Sequence, residues 1–183
     1  MAFRRRSQGE PDPLAHVDPA AAPRRLAGTV SEALAARRRF SELVDGLRPG
    51  PVRDRLTELV PRIDAGVASV WDAAMRVGEL ERVLATLDPE RVTDEYKRAR
   101  RSGADPSVMA AQEARFNSVQ RLLNTIEDIE ERLRLLDVRL DGAVARAAEV
   151  ALAAGAGADE LDAELTTVVD ELGALRTALD EVG

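Results

Sequence analysis

The apolar residues of this chain recur at helical spacing along most of its length. From residue 119 to residue 154 they follow an unbroken heptad with two columns: Val119, Ile126, Leu133, Leu140, Ala147 and Ala154 in one, and Leu122, Ile129, Leu136, Ala143 and Val150 in the other. Such a repeat is typical of helices that pack along a continuous seam. The sequence therefore predicts a helix over 106–154, about 73 Å long at 1.5 Å per residue.

Proline, glycine and aspartate mark the ends of the other predicted helices. The expected helices are 29–48, 52–87, 89–102 and 158–182. Thr29 and Glu32 fit a capping box for the first of them. Asp88 and Asp105 each precede a proline, which pairs a capping side chain with a residue suited to the first helical position. Pro61 lies inside the second helix, where we expect a kink or a short helix followed by a new start.

These elements predict an all-α fold. We expect an elongated antiparallel helical hairpin or a three-helix coiled-coil-like bundle over 52–183, because short connections make consecutive helices antiparallel neighbours. The helix at 29–48 either packs on this bundle or is detached from it. Residues 1–28 are rich in proline and poor in apolar periodicity, so they are expected to form a disordered basic tail.

Charge is distributed unevenly along the chain. The formal net charge is -7. Residues 1–40 carry eight arginines and four acidic residues, whereas residues 155–183 carry eight acidic residues and Arg176 alone. We expect the basic head to dock on the acidic helix 158–182. Within the long helix, Glu130 and Asp137 fall at position e of the heptad and Arg132, Arg139 and Arg146 at position g, where charges set pairing.

The composition excludes most familiar catalytic chemistry. The 183 residues contain no cysteine and one histidine. Thiol nucleophiles, zinc–thiolate sites and a self-contained catalytic triad therefore lack their residues. The carboxylate-rich stretch 127–137 has no accompanying histidine and fits solvated pairing charges better than a metal site. We expect a protein that is not an enzyme and that needs no cofactor or metal ion.

The candidate sites are an apolar surface and a basic one. The candidate interface consists of Phe116, Val119, Leu122, Leu123 and Ile126, which the helix at 158–182 is too short to cover. Helices 52–87 and 89–102 could cover these residues, or a second copy of the chain could, forming a homodimer. The candidate contact with an anionic surface is Arg4, Arg5 and Arg6.

These surfaces predict a function in binding rather than catalysis. We expect a non-enzymatic coiled-coil interaction or scaffold protein that binds itself or a helical partner through an apolar seam. The alternative is a peripheral membrane or nucleoid adaptor that uses the basic N-terminal region. Dedicated nucleic-acid binding is not expected, because the basic groups lack interleaved aromatic residues. With no apolar run long enough for a membrane span and no signal peptide, we expect a cytoplasmic protein.

Overall fold

The computed structural model describes residues 12–153 and the single positions 163, 166, 167 and 170. The predicted all-α class is confirmed, because every regular element in the described part of the chain is a helix. A short 3-10 turn at Pro19–Ala21 is followed by α1 (Ala27–Gly46), α2 (Pro51–Leu87), α3 (Pro89–Ser102) and α4 (Pro106–Leu152). The predicted helix at 158–182 lies outside the described residues, apart from the four single positions, which are helical.

Local signals set the ends of α3 and α4 as predicted. Asp88 accepts a hydrogen bond from the backbone N–H of Arg91 at 3.2 Å, and Asp105 accepts one from that of Ser107 at 2.9 Å. Both caps satisfy backbone donors that a helix start leaves without partners. Gly103 ends α3 with a φ of 60°, a left-handed conformation that glycine adopts without steric cost.

Two predicted helix features are wrong. The first helix begins at Ala27 rather than at Thr29, and its N-cap residue, Leu26, makes no capping hydrogen bond with its side chain. Thr29 therefore lies inside the helix and caps nothing. The second helix is continuous from Pro51 to Leu87 and runs through Pro61, so the alternative of a new start there is wrong, while the alternative of a kink stays a prediction. Leu59 and Ile63, on either side of Pro61, are both buried, and their packing holds the helix continuous through the proline.

The core lies where α1, α2 and α4 pack against one another. Helix α1 is thus packed on the other helices and is not detached. The heptad positions of α4 from Val119 to Val150 are buried, except for Leu122, which is half-buried. The largest fully buried side chains include Phe40 from α1, Leu56 and Ile63 from α2, and Leu133 from α4. Leucine, valine, isoleucine and alanine fill most of this interior, as the low aromatic content requires.

The N-terminal segment is ordered from residue 12, contrary to the predicted disordered tail over 1–28. Leu14, Val17 and Leu26 are 4%, 9% and 3% exposed. Pro23 packs so closely on α2 that a Cβ added to Gly78 would come within 3.1 Å of its Cγ. A few apolar side chains and close backbone contacts therefore hold this proline-rich segment on the helices. Residues 1–11 lie outside the described part of the chain.

Candidate functional site

Helices α3 and α4 form an antiparallel hairpin that differs from the rest of the molecule. Of the described elements, α3 packs on α4 and touches only α2 besides. No residue from 93 to 118 is fully buried. The last buried side chains are Val92 and Val119, at the base of the hairpin. This part of the protein is therefore a two-helix arm, called here the distal hairpin (residues 93–118).

A small set of side chains joins the two helices of the distal hairpin. The rings of Tyr96 and Phe116 stack with their centroids 4.6 Å apart and their planes at 11°. Beside them, Arg115 donates to Glu95 at 2.8 Å, and Arg91 also donates to Glu95, at 3.1 Å. These contacts place residues 95–96 of α3 at about the same level as residues 115–116 of α4, and the short connection after Ser102 makes the two helices antiparallel.

The candidate interface residues divide into two groups. Val119 and Ile126 are 1% and 3% exposed and belong to the core of the chain itself. Phe116, Leu122 and Leu123 are only partly buried, packed against that core from outside. The first group is not accessible to a partner, so it is removed from the candidate interface. The second group keeps only part of its surface exposed, and the ring of Phe116 is also stacked on Tyr96 of α3.

Phe116 and Leu123, two of these three partly buried residues, lie on a side of α4 that faces α1 farther along the helix. Five residues at seven-residue spacing share this side: Phe116, Leu123, Glu130, Asp137 and Val144. Glu130 forms an ion pair with Arg25, immediately before α1. Val144 lines a groove together with Leu43 of α1. Because α1 begins only at Ala27, it covers the column at 130, 137 and 144 but does not reach Phe116 and Leu123.

A charged network fixes where α1 lies. The Nε of Arg37 donates to the buried carboxylate of Asp64 on α2 at 2.6 Å, and its Nη2 donates to Asp12 at 2.7 Å. Arg25 pairs with Glu81 at 2.7 Å as well as with Glu130, and Arg39 pairs with Asp141. Arg25, Arg37 and Arg39 of the basic head thus bind carboxylates of α2, α4 and the N-terminal segment. The expected docking on the helix at 158–182 is wrong for these three arginines.

Asp137 is the most perturbed carboxylate of the α1–α4 contact. Burial raises its pKa from 3.8 to about 6, and the charges of Asp141 and Glu32 add to this effect, while Arg39 opposes it. Its Oδ1 atom is buried and accepts no hydrogen bond within the described part of the chain. The two acidic residues at position e therefore differ. Glu130 forms an ion pair with Arg25, whereas the carboxylate of Asp137 is partly desolvated and lies near the like charges of Asp141 and Glu32.

The groove between α1 and α4 has a volume of about 580 Å³. Leu43, Val144, Ala145 and Ala148 provide its apolar lining, and the ion pair of Arg39 with Asp141 lies on its wall. It is an open depression lined by few polar groups, and these groups do not converge on one point. It therefore offers no arrangement for acid–base or nucleophilic chemistry of the kind that catalytic pockets contain.

Sequence reasoning missed a basic stretch on α3. Lys97, Arg98, Arg100 and Arg101 are all exposed and lie near the end of the distal hairpin. The signal was four cations within five residues on a predicted helix. The basic residues chosen from the sequence, Arg4, Arg5 and Arg6, lie outside the described residues.

Among the described residues, no group of three or more histidine or acidic side chains is placed to hold a metal ion. Across the same residues, every helix is too short or too polar to cross a membrane. Comparisons with models of protein families, with curated proteins and with solved structures find no match to this chain.

Proposed function

We propose that this protein is a non-enzymatic helical interaction protein that binds a second copy of itself through the base of the distal hairpin and the residues of α4 that follow it. The contact surface is the partly buried apolar group Phe116, Leu122 and Leu123 on α4. In this proposal the hairpins of two copies pack together as a four-helix, coiled-coil-like assembly. The scarcity of catalytic residue types in the sequence supports a binding role.

The proposal rests on one observation: α1 covers only part of the length of α4. At Glu130, Asp137 and Val144, the e column of α4 is covered by α1 or the segment before it. At Phe116 and Leu123 the same column carries apolar side chains, and α1 is absent there. Apolar residues at these positions are what a third helix packs against in a bundle. A helix from another molecule can take the place that α1 holds farther along.

A second copy fits this place better than the C-terminal part of the same chain. Arg62, in the half of α2 remote from α3, donates to the hydroxyl of Thr166 at 2.5 Å. About 25 residues of helix, roughly 38 Å, separate Arg62 from the end of α2. Thr166 therefore lies far from Phe116. Two identical hairpins related by a two-fold axis would each supply the helix that the other lacks.

Light scattering coupled to size exclusion, over a range of concentrations, tests the proposal. The wild-type chain is expected to be a dimer that dissociates on dilution. Leu123→Glu places a charge on the proposed contact twice per dimer, so we expect at least a hundredfold weaker association, from about 1.4 kcal/mol or more at each site. Asn124→Glu is the matched control, because Asn124 is exposed on the same turn of α4.

Far-UV circular dichroism and thermal melting of each variant show whether its fold is retained. A folded Leu123→Glu chain that is monomeric, beside a dimeric Asn124→Glu chain, is the expected result. A wild-type chain that stays monomeric at high concentration would overturn the proposal. Equal dimerisation of a folded Leu123→Glu variant would do the same.

A further inference from the structure

The exposed cations of α3 lie on the side of the helix that faces away from α4. Val92, Tyr96 and Ala99 mark the packed side, since Val92 is fully buried and Tyr96 stacks on Phe116. At 100° per residue, Lys97, Arg98 and Arg101 fall on the opposite side, with Arg100 beside them. These four residues are called here the basic tip.

The basic tip has no internal charge partners among the described residues. Arg91 and Arg115, at the base of the hairpin, both pair with Glu95. In contrast, the residues of the basic tip make no ion pair with any residue between 12 and 153. Arg100 and Arg101 occupy the last turn of α3, where the helix dipole favours cations. That effect does not extend to Lys97 and Arg98, which lie before the last turn.

An apolar side chain is exposed at the same end of the hairpin. Val108, in the first turn of α4, is 48% exposed. By the register of Tyr96 with Phe116, it lies about level with Ala104, just beyond Arg101. The end of the hairpin therefore combines several cations with an exposed apolar residue, the pairing of groups that favours the interface of an anionic membrane.

We propose that the basic tip, together with Val108, binds the anionic headgroups of a lipid surface. Nucleic acid fits less well, since its phosphates make no apolar contact with Val108. The ring of Tyr96 is already stacked on Phe116 within the hairpin, so it is not available to stack on a base. Salt screens charges that lie farther from the tip than the Debye length, which is about 8 Å at physiological ionic strength, so the contact depends chiefly on the cations at the tip itself.

This inference is separate from the proposed self-association, because the basic tip lies on the outward side of α3. The Leu123→Glu variant is therefore expected to bind lipid through the same residues, with lower avidity if it is monomeric. Self-association is tested by light scattering and lipid binding by vesicle sedimentation, so either proposal can fail without the other.

Sedimentation with vesicles tests the basic tip in the full chain. Vesicles of phosphatidylcholine with phosphatidylserine are compared with vesicles of phosphatidylcholine alone. The test variant carries Lys97→Gln, Arg98→Gln, Arg100→Gln and Arg101→Gln. The matched control carries Arg38→Gln, Arg48→Gln, Arg132→Gln and Arg134→Gln, four exposed positions that give the same net charge. Glutamine has a helix propensity close to those of arginine and lysine, so the fold should be retained.

The wild-type chain is expected to bind only the vesicles that contain phosphatidylserine, and less tightly as salt is raised. Each cation removed from the tip should weaken binding about fivefold, so the test variant loses several hundredfold, while the control loses little. Equal binding to both kinds of vesicle, or equal losses in the two variants, would overturn the proposal. Tighter binding to duplex DNA than to the vesicles, abolished in the test variant, would also overturn it and would identify the tip as a nucleic-acid contact.

Discussion

Asp137→Asn should make the protein more stable at neutral pH. The carboxylate lies between α1 and α4, close to the negative charges of Asp141 and Glu32. Its buried Oδ1 atom accepts no hydrogen bond within the described residues. Burial is the largest cause of its raised pKa, so ionisation in the folded protein is opposed chiefly by loss of solvent. Asparagine has nearly the same shape and no charge to desolvate.

The magnitude follows from the two pKa values of this carboxyl. It is about 6 in the folded chain and 3.8 as the ordinary value, and one pH unit of separation corresponds to about 1.4 kcal/mol. The unscreened limit is therefore about 3 kcal/mol. Asp137 is only half-buried, so solvent screens part of this energy, and we expect about 1 kcal/mol. For a chain of this size, that is a rise in Tm of about 3 °C.

The difference in stability between Asp137→Asn and the wild-type chain should depend on pH in a definite direction. Below about pH 3 the carboxyl is protonated in both the folded and the unfolded chain, so its ionisation contributes nothing to the difference between the proteins. Between about pH 4 and pH 6 the folded chain holds the proton more tightly, and wild-type stability falls relative to Asp137→Asn as the pH rises. Above about pH 7 the difference is constant at its full value.

Urea denaturation followed by circular dichroism, at several values from about pH 4 to about pH 8, measures this difference. Asp128→Asn is the control, because Asp128 is exposed on the same helix and the change in net charge is the same. We expect the control to lack the rise between pH 4 and pH 6. If Asp137→Asn were less stable than wild type at pH 8, the carboxylate would be making a stabilising contact, and the reasoning from burial would be refuted.

Four further substitutions test the packing of the fold by urea denaturation. Arg37→Met removes the 2.6 Å ion pair that Arg37 forms with the buried carboxylate of Asp64, so we expect a loss of about 3 kcal/mol. Asp12→Asn disturbs only the exposed side of the same network and should cost less than about 1 kcal/mol. Phe40→Ala empties a fully buried site and should cost about 3–5 kcal/mol. Gly103→Ala places a side chain at a φ of 60° and should cost about 1 kcal/mol, mainly in the distal hairpin. A loss below about 1 kcal/mol for Arg37→Met or Phe40→Ala would contradict the burial on which these values rest.

The features that the sequence predicts well are those with local causes. The starts of α3 and α4 depend on Asp88 and Asp105 and on the prolines that follow them, all within one helical turn. The buried side of α4 depends on a repeat that needs no knowledge of the partner helix. A stripe such as Leu133, Leu136 and Leu140 must be covered by something, whichever element supplies the cover. Local signals alone therefore predict these elements, without any information on which helix packs against them.

The N-terminal segment shows where composition misleads. Its four prolines and low periodicity predict disorder, because such a segment buries little by itself. In the structure Leu14 and Val17 are buried by other parts of the chain, and Asp12 bonds Arg37. Proline also loses less conformational entropy on folding than other residues, so a few such contacts are enough to order it. These contacts join residues that are distant in sequence, and no local pattern indicates them.

The candidate site depends on the same kind of long-range information. From the sequence, Phe116 to Ile126 is one apolar stretch whose cover is unknown. The structure divides it because α1 begins level with Glu130, a position fixed by Arg25 and its contacts with Glu81 and Glu130. A longer α1 would cover Phe116 and Leu123 and leave no surface for a partner. The charged residues before α1 thus determine how much of α4 remains open, and charge reversal at Arg25 should alter self-association as well as stability.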